Sequence, residues 1–336
     1  MNEDQITENH HSTLEDEKAK NQFWAKLGFI EQAYKAHHEF WRYLIGALCV
    51  FIASTIGQIP LMIAIFAKEG LSVAGKGQAY LMNVLDKNLT LFLVLFSFLV
   101  GLLALFLIVR TLHNQKIKDL TTSRKKVDWG RVFFGFSLIA IFTIVVTGYD
   151  YYTNPQDYVV TFQWAPFLVL FAIAVVFIPI QTSMEEYLFR GYLMQGFGML
   201  AKNRWVPLVV TSVIFGGLHF ANPEVGKLGN IIMLYYIGTG FFLGIITLMD
   251  EGMELALGFH AGNNLVGALL VTADWTAFQT HSILKDISDP SAGFDVLLPV
   301  LIIYPIFLLI MAKKYRWKNW GNKLFGKIDP PQPEKL

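Results

Sequence analysis

The stretch 184-MEEYLFRG-191 sets two adjacent carboxylates, Glu185 and Glu186, and one arginine, Arg190, directly after 166-PFLVLFAIAVVFIPI-180, a run that is soluble in lipid. Ionisable side chains in such surroundings are costly and mark function by default. Four further polar groups lie in the apolar runs that follow: His219, His260, Asn263 and Asn264. The other histidines (His10, His11, His37, His38, His113 and His281) fall outside apolar runs.

Helical spacing sorts these groups. Glu186 and Arg190 stand i,i+4 and share a face, which reads as a buried, self-neutralising structural pair. Glu185 is turned about 100° away. It has no basic residue three or four positions off, so it is free to face something else. His260 and Asn264 repeat the i,i+4 spacing, as do Phe215 and His219, with Gly216 and Gly217 between the latter two. Small residues there let a neighbouring helix come close. Asn263 points elsewhere and reads as packing. Tyr235 and Tyr236 read as core, and the glycines of 191-GYLMQGFG-198 as close-packing positions.

Counting along the chain brings the groups to one level. The only break after the carboxylates is 201-AKNRW-205. With Lys202 as the turn of a helical hairpin, Glu185 lies 17 residues before it and His219 lies 17 after it. At 1.5 Å per residue both sit about 25 Å from the turn, provided that both helices run unbroken. A second hairpin turning near Glu251 brings His260 and Asn264 into the same layer.

A carboxylate, two imidazoles and a carboxamide in an apolar site suit peptide hydrolysis. Glu185 acts as general base on a water, His219 shares that water and then protonates the leaving amine, and His260 with Asn264 donates to the oxyanion. No Ser or Cys is placed as an obvious nucleophile, which favours direct attack by water. Glu185, His219 and His260 also form an N2O set with an open fourth position, so zinc is chemically sensible, although the HExxH signature is absent. The metal-free version is favoured.

The elements that must position these residues are membrane helices. The 336-residue chain is 54% hydrophobic and 16% charged, which predicts an all-α polytopic membrane protein. We expect eight spans, at about 43–66, 89–109, 132–149, 165–186, 205–220, 230–249, 254–272 and 295–312, with the site on spans four to seven and the fourth helix running on to about residue 200. Lysines and arginines concentrate in 110–131 and after 312, and loop 150–164 has none, so both termini are expected in the cytoplasm. Three segments follow: residues 1–40, polar, with either an interfacial helix or a plain juxtamembrane linker over 22–42; residues 41–313, the transmembrane domain; and residues 314–336, a basic tail ending in a Pro-rich, disordered 329-DPPQPEKL-336. The N-terminus lacks the features of a cleavable signal peptide. Cys49 reads as a small buried hydrophobe. A net charge of +1 argues against a nucleic-acid partner.

The residues Glu185-Glu186-Tyr-Leu-Phe-Arg190, Phe215-Gly-Gly-Leu-His219 and His260-Ala-Gly-Asn-Asn264 resemble, in order, the EExxxR, FxxxH and HxxxN motifs of the CPBP family of CAAX-type and bacteriocin-processing intramembrane proteases, formerly called Abi. The match covers about 165–272. The resemblance implies an all-helical fold, commonly of eight spans, in a bacterial cytoplasmic (inner) membrane, with a site open to the cytosol. It also implies that Glu185 and His219 activate water and that His260 and Asn264 hold the oxyanion, with Glu186, Arg190 and Phe215 in support. The expected partner is a membrane-tethered protein or peptide; prenylation of that substrate rests on family analogy alone. The alternatives are a zinc-dependent version of the same protease, a non-catalytic membrane immunity or scaffold protein, and a proton-coupled transporter built on the same carboxylates and histidines.

Overall fold

The computed structural model describes residues 27–73, 75–289, 293 and 296–330. The chain runs up and down through α1 (Phe40–Gly57), α2 (Ile59–Glu69), α3 (Lys87–Thr111), α4 (Trp129–Thr153), α5 (Trp164–Ala201), α6 (Trp205–Leu218), α7 (Ile232–Asp250), α8 (Glu254–Leu270) and α9 (Tyr304–Tyr315). Each expected span holds at least one of these helices. Among the described residues, five of the eight expected spans are long and apolar enough to cross a membrane: α1 with α2 and the turn after it (Phe40–Val73), α3, α4, α5 and α7. The helices α6, α8 and α9 at the other three are shorter.

Both hairpin turns fall where the count put them. Lys202 closes α5 in the left-handed conformation (φ 54°) and Glu251 closes α7 in the same way (φ 55°). Neither helix at the first hairpin is regular throughout, however. α5 contains a π-helical turn at Tyr187–Leu193, immediately after the two carboxylates. α6 stops at Leu218, so His219 is its C-cap rather than an interior residue.

Two close helix contacts fix the frame of the site. On α8, a Cβ added at Gly258 would lie 1.9 Å from the carbonyl oxygen of Val132 on α4, and one at Gly262 would lie 2.8 Å from that of Phe136. This small-xxx-small spacing brings the two backbones together and sets the rotation of α8 that aims His260 inward. On α6, a Cβ at Gly216 would meet the backbone of Ile237 on α7 at 2.8 Å. Gly217 meets nothing, so only one of the two glycines serves packing.

One end of the bundle is tied together by ions and chain segments. Arg124, from the loop before α4, and Arg131, in the first turn of α4, pair with Asp250 and, for Arg124, with Glu254 at 3.0 Å. Trp317 of the tail also donates to Asp250, at 3.0 Å. Phe29 and Ile30 are fully buried here against Met194, Leu248 and Met253. Residues 30–35 thus form a 3-10 turn tucked into the protein, not a helix lying on a surface; apolar side chains that reach a core gain more there than at an interface. The first part of that expected helix, 22–26, lies outside the described residues, as does the rest of the N-terminal segment. The tail also docks: Trp320–Phe325 is helical and Ile328 is buried. Residues 331–336 lie outside the described set.

At the opposite end three short strands add to the all-helical plan: β1 (Tyr158–Val160), β2 (Val271–Ala273) and β3 (Leu284–Asp286), in the order β1-β3-β2, with β3 antiparallel to β1 and parallel to β2. β2 takes the place of the last residues assigned to span seven. Cys49 is exposed on the outer face of α1, not buried as expected, because a helix in an apolar medium turns apolar side chains outward as readily as inward.

Candidate active site

The carboxylate pair divides as helical spacing predicts, with one addition. Glu186 is fully buried; its Oε1 accepts from Arg190 Nη1 at 3.0 Å and lies 2.8 Å from His260 Nδ1. Arg190 is fully buried too, donates to the carbonyl of Gly240, and stands over the Phe215 ring at 4.2 Å. Phe215 lies between the functional groups: its ring is 4.9 Å from that of His219 and 6.1 Å from that of His260.

Glu185 faces away from this pair and into a cavity of about 900 Å³. Its Oε1 accepts from Gln181 Nε2 at 2.7 Å, and its Oε2 lies 3.5 Å from His260 Nε2. Gln181 in turn accepts from Asn264 Nδ2 at 3.2 Å, and Asn264 accepts from Asn263 at 3.1 Å. His219 is held from behind: its Nδ1 meets the carbonyl of Phe215 at 2.8 Å and its ring stacks on Tyr236 at 4.4 Å. Nδ1–H donating to that carbonyl leaves Nε2 as an acceptor. Among the described residues no hydrogen bond joins Glu185 to His219; both line the same cavity.

So Glu185, His219, His260 and Asn264 converge on one cavity, while Glu186 and Arg190 lie behind its wall. His260 differs from its sequence-based picture. It stands between the two carboxylates, anchored by Glu186 and presenting Nε2 towards Glu185. An imidazolium donates at both nitrogens; a neutral ring with Nδ1–H on Glu186 presents a bare Nε2.

Four lining residues carry no mark in the sequence reading. Gln181 stands i−4 to Glu185 but has no charge that would single it out as a carboxylate's partner. Tyr236 reads as core by composition, and Asn263 as packing, yet both line the cavity. Glu224 lines it as well. Its Oε1 accepts from the Ala277 amide at 2.8 Å and its Oε2 is buried with no partner among the described residues.

The zinc set fits poorly. Among the described residues no three His, Cys, Asp or Glu side chains are grouped to hold a metal ion. His260 Nδ1 meets Glu186 and His219 Nδ1 a backbone carbonyl, contacts that leave Nε2 of each ring as the nitrogen open to a ligand.

Comparison with known proteins bears on the same residues. Residues 163–266, which carry Gln181 through Asn264, match the family model described as "Rce1-like: Type II CAAX prenyl endopeptidase Rce1-like". The chain is similar to the "Uncharacterized protein YyaK" of Bacillus subtilis (strain 168), 29% identical over 239 residues, or 71% of this chain and 80% of the relative. No solved structure matches.

Proposed function

Starting from a chain whose residues 163–266 carry an Rce1-like peptidase segment, we propose that the protein is an intramembrane endopeptidase that hydrolyses membrane-associated proteins or peptides through an activated water. The observation that carries this reading is the convergence of Glu185 and His219 on one cavity, with Glu185 aimed by Gln181. A water between them gives its proton to the Glu185 carboxylate as its oxygen attacks the scissile carbonyl. The second N–H of the Asn264 amide, not used by Gln181, and Nε2–H of a protonated His260 donate to the resulting oxyanion. The C–N bond then breaks as the proton held by Glu185 passes to Nε2 of His219 and from it to the leaving amine, which restores the Glu185 carboxylate.

We derive no step through a metal, since the donor set does not gather around a common point. Chelation of purified protein should leave cleavage intact on this reading. The decisive experiment uses purified protein in vesicles with a membrane-tethered reporter. Glu185→Gln and His219→Ala should each abolish cleavage while thermal unfolding stays cooperative; retained cleavage in both variants overturns the assignment.

A further inference from the structure

The cavity and the positive charge lie at opposite ends of the bundle. The loop 110–131 with its seven cations, the turns at Lys202 and Glu251, and the tail from Lys313 meet at one end, tied by the contacts of Arg124, Arg131 and Trp317 to Asp250. Every arginine except the buried Arg190 belongs to that end. The other end has no arginine and only Lys68, Lys76, Lys87, Lys227 and Lys285, of which Lys227 and Lys285 are paired with Asp289 and Asp274 at 2.7 Å each.

The residues that line the cavity outside the long helices come from this cation-poor end. They include Leu81 and Met82 before α3, Asn222 and Glu224 after His219, and Ala277 and Phe278 after β2. None comes from the basic loop or from the two turns. Residues near the membrane with an excess of lysine and arginine stay on the cytoplasmic side.

We propose that the active-site cavity opens on the extracytoplasmic face of the membrane, with both termini in the cytoplasm. The substrate is then a peptide segment emerging from the outer leaflet, as in an exported or membrane-anchored precursor, and not the tail of a cytosolic protein. This is the reverse of the cytosolic opening implied by resemblance. The orientation follows from charge and cavity placement alone; only the word substrate rests on the peptidase reading.

The test is thiol labelling in intact cells with a membrane-impermeant maleimide, in a Cys49→Ala background. Gly226→Cys reports the cation-poor surface, where an added Cβ meets nothing. Thr276→Cys reports the cavity and Lys125→Cys the basic loop. Gly226→Cys and Thr276→Cys should label in intact cells, and Lys125→Cys only after permeabilisation. The reverse pattern, labelling of both ends in intact cells, or a Thr276→Cys that needs permeabilisation overturns the proposal. A second arm places one cleavable segment on either side of a single membrane anchor. Cleavage that depends on Glu185 should occur only in the extracytoplasmic version, and cytoplasmic cleavage overturns the proposal. Absence of cleavage on both sides refutes the peptidase reading while the labelling result stands.

Discussion

His260 Nδ1 and Arg190 Nη1 share one oxygen of Glu186, at 2.8 and 3.0 Å, and all three side chains are buried. This sets the second glutamate behind the cavity wall and leaves the first facing the cavity. Glu186→Gln keeps the shape but leaves the Arg190 charge without its counter-ion. Removing one partner of a buried pair costs about 3–5 kcal/mol, so Glu186→Gln should lower the unfolding free energy by that order. Glu185→Gln, which faces the cavity and pairs with no Lys or Arg, should leave it within about 0.5 kcal/mol. Equal losses in the two variants, measured by denaturation in one detergent, would remove the division of labour.

Gln181 aims Glu185 and Asn264 at once. Gln181→Leu keeps the volume near its original value but frees both groups to rotate. A misplaced reacting group costs up to about 100-fold, and the loss should appear in kcat with KM nearly unchanged. Gln181→Glu puts a second carboxylate beside Glu185 and should also shift the pH profile of kcat. A profile identical to wild type would show that Gln181 only fills space.

Gly258 admits no side chain without moving α4, since its Cβ would fall 1.9 Å from Val132 O. Overpacking typically costs about 1–3 kcal/mol. Gly258→Ala should therefore lower the melting temperature and, by tilting His260, reduce turnover together with it. Gly217→Ala, on a helix face where nothing is within reach, serves as the control.

His113 lies past the end of α3, fully buried, with Nδ1 at 2.6 Å from the His37 carbonyl and Nε2 at 2.8 Å from the Tyr192 hydroxyl. Burial holds its pKa below the ordinary value of 6.5. The unfolded chain then binds the extra proton first, so stability is present above 6.5 and falls as the pH drops from there towards the lowered value. His113→Asn should weaken the protein near neutral pH but flatten this acid limb. Melting curves between neutral and mildly acidic pH check the slope.

Much of this was legible in the residues. The i,i+4 rule separated Glu186–Arg190 from Glu185, and the two turns fell at Lys202 and Glu251 because nothing else interrupts the apolar runs. What spacing along one helix cannot give is the partner on another. The bond between Glu186 and His260 crosses from α5 to α8, and the stack of Tyr236 on His219 crosses from α7 to the end of α6. The π turn after Glu186 leaves no mark in composition either. Asp250 and Glu254 flank the turn at Glu251 and both are buried, held by Arg124 and Arg131, partners far away in sequence that spacing along one helix does not reveal.

That distance has a meaning for biosynthesis. Arg131 and Arg124 are translated 119 to 130 residues before the acids that will hold them. Until α7 and α8 are made, neither guanidinium has these partners, and Arg131 has only Asp128, three residues away, to pair with. Once α7 and α8 arrive, the same groups become a clasp that closes the bundle. The charge of this region thus stands open through most of synthesis and is closed only by the acids at the turn between the last two helices of the site.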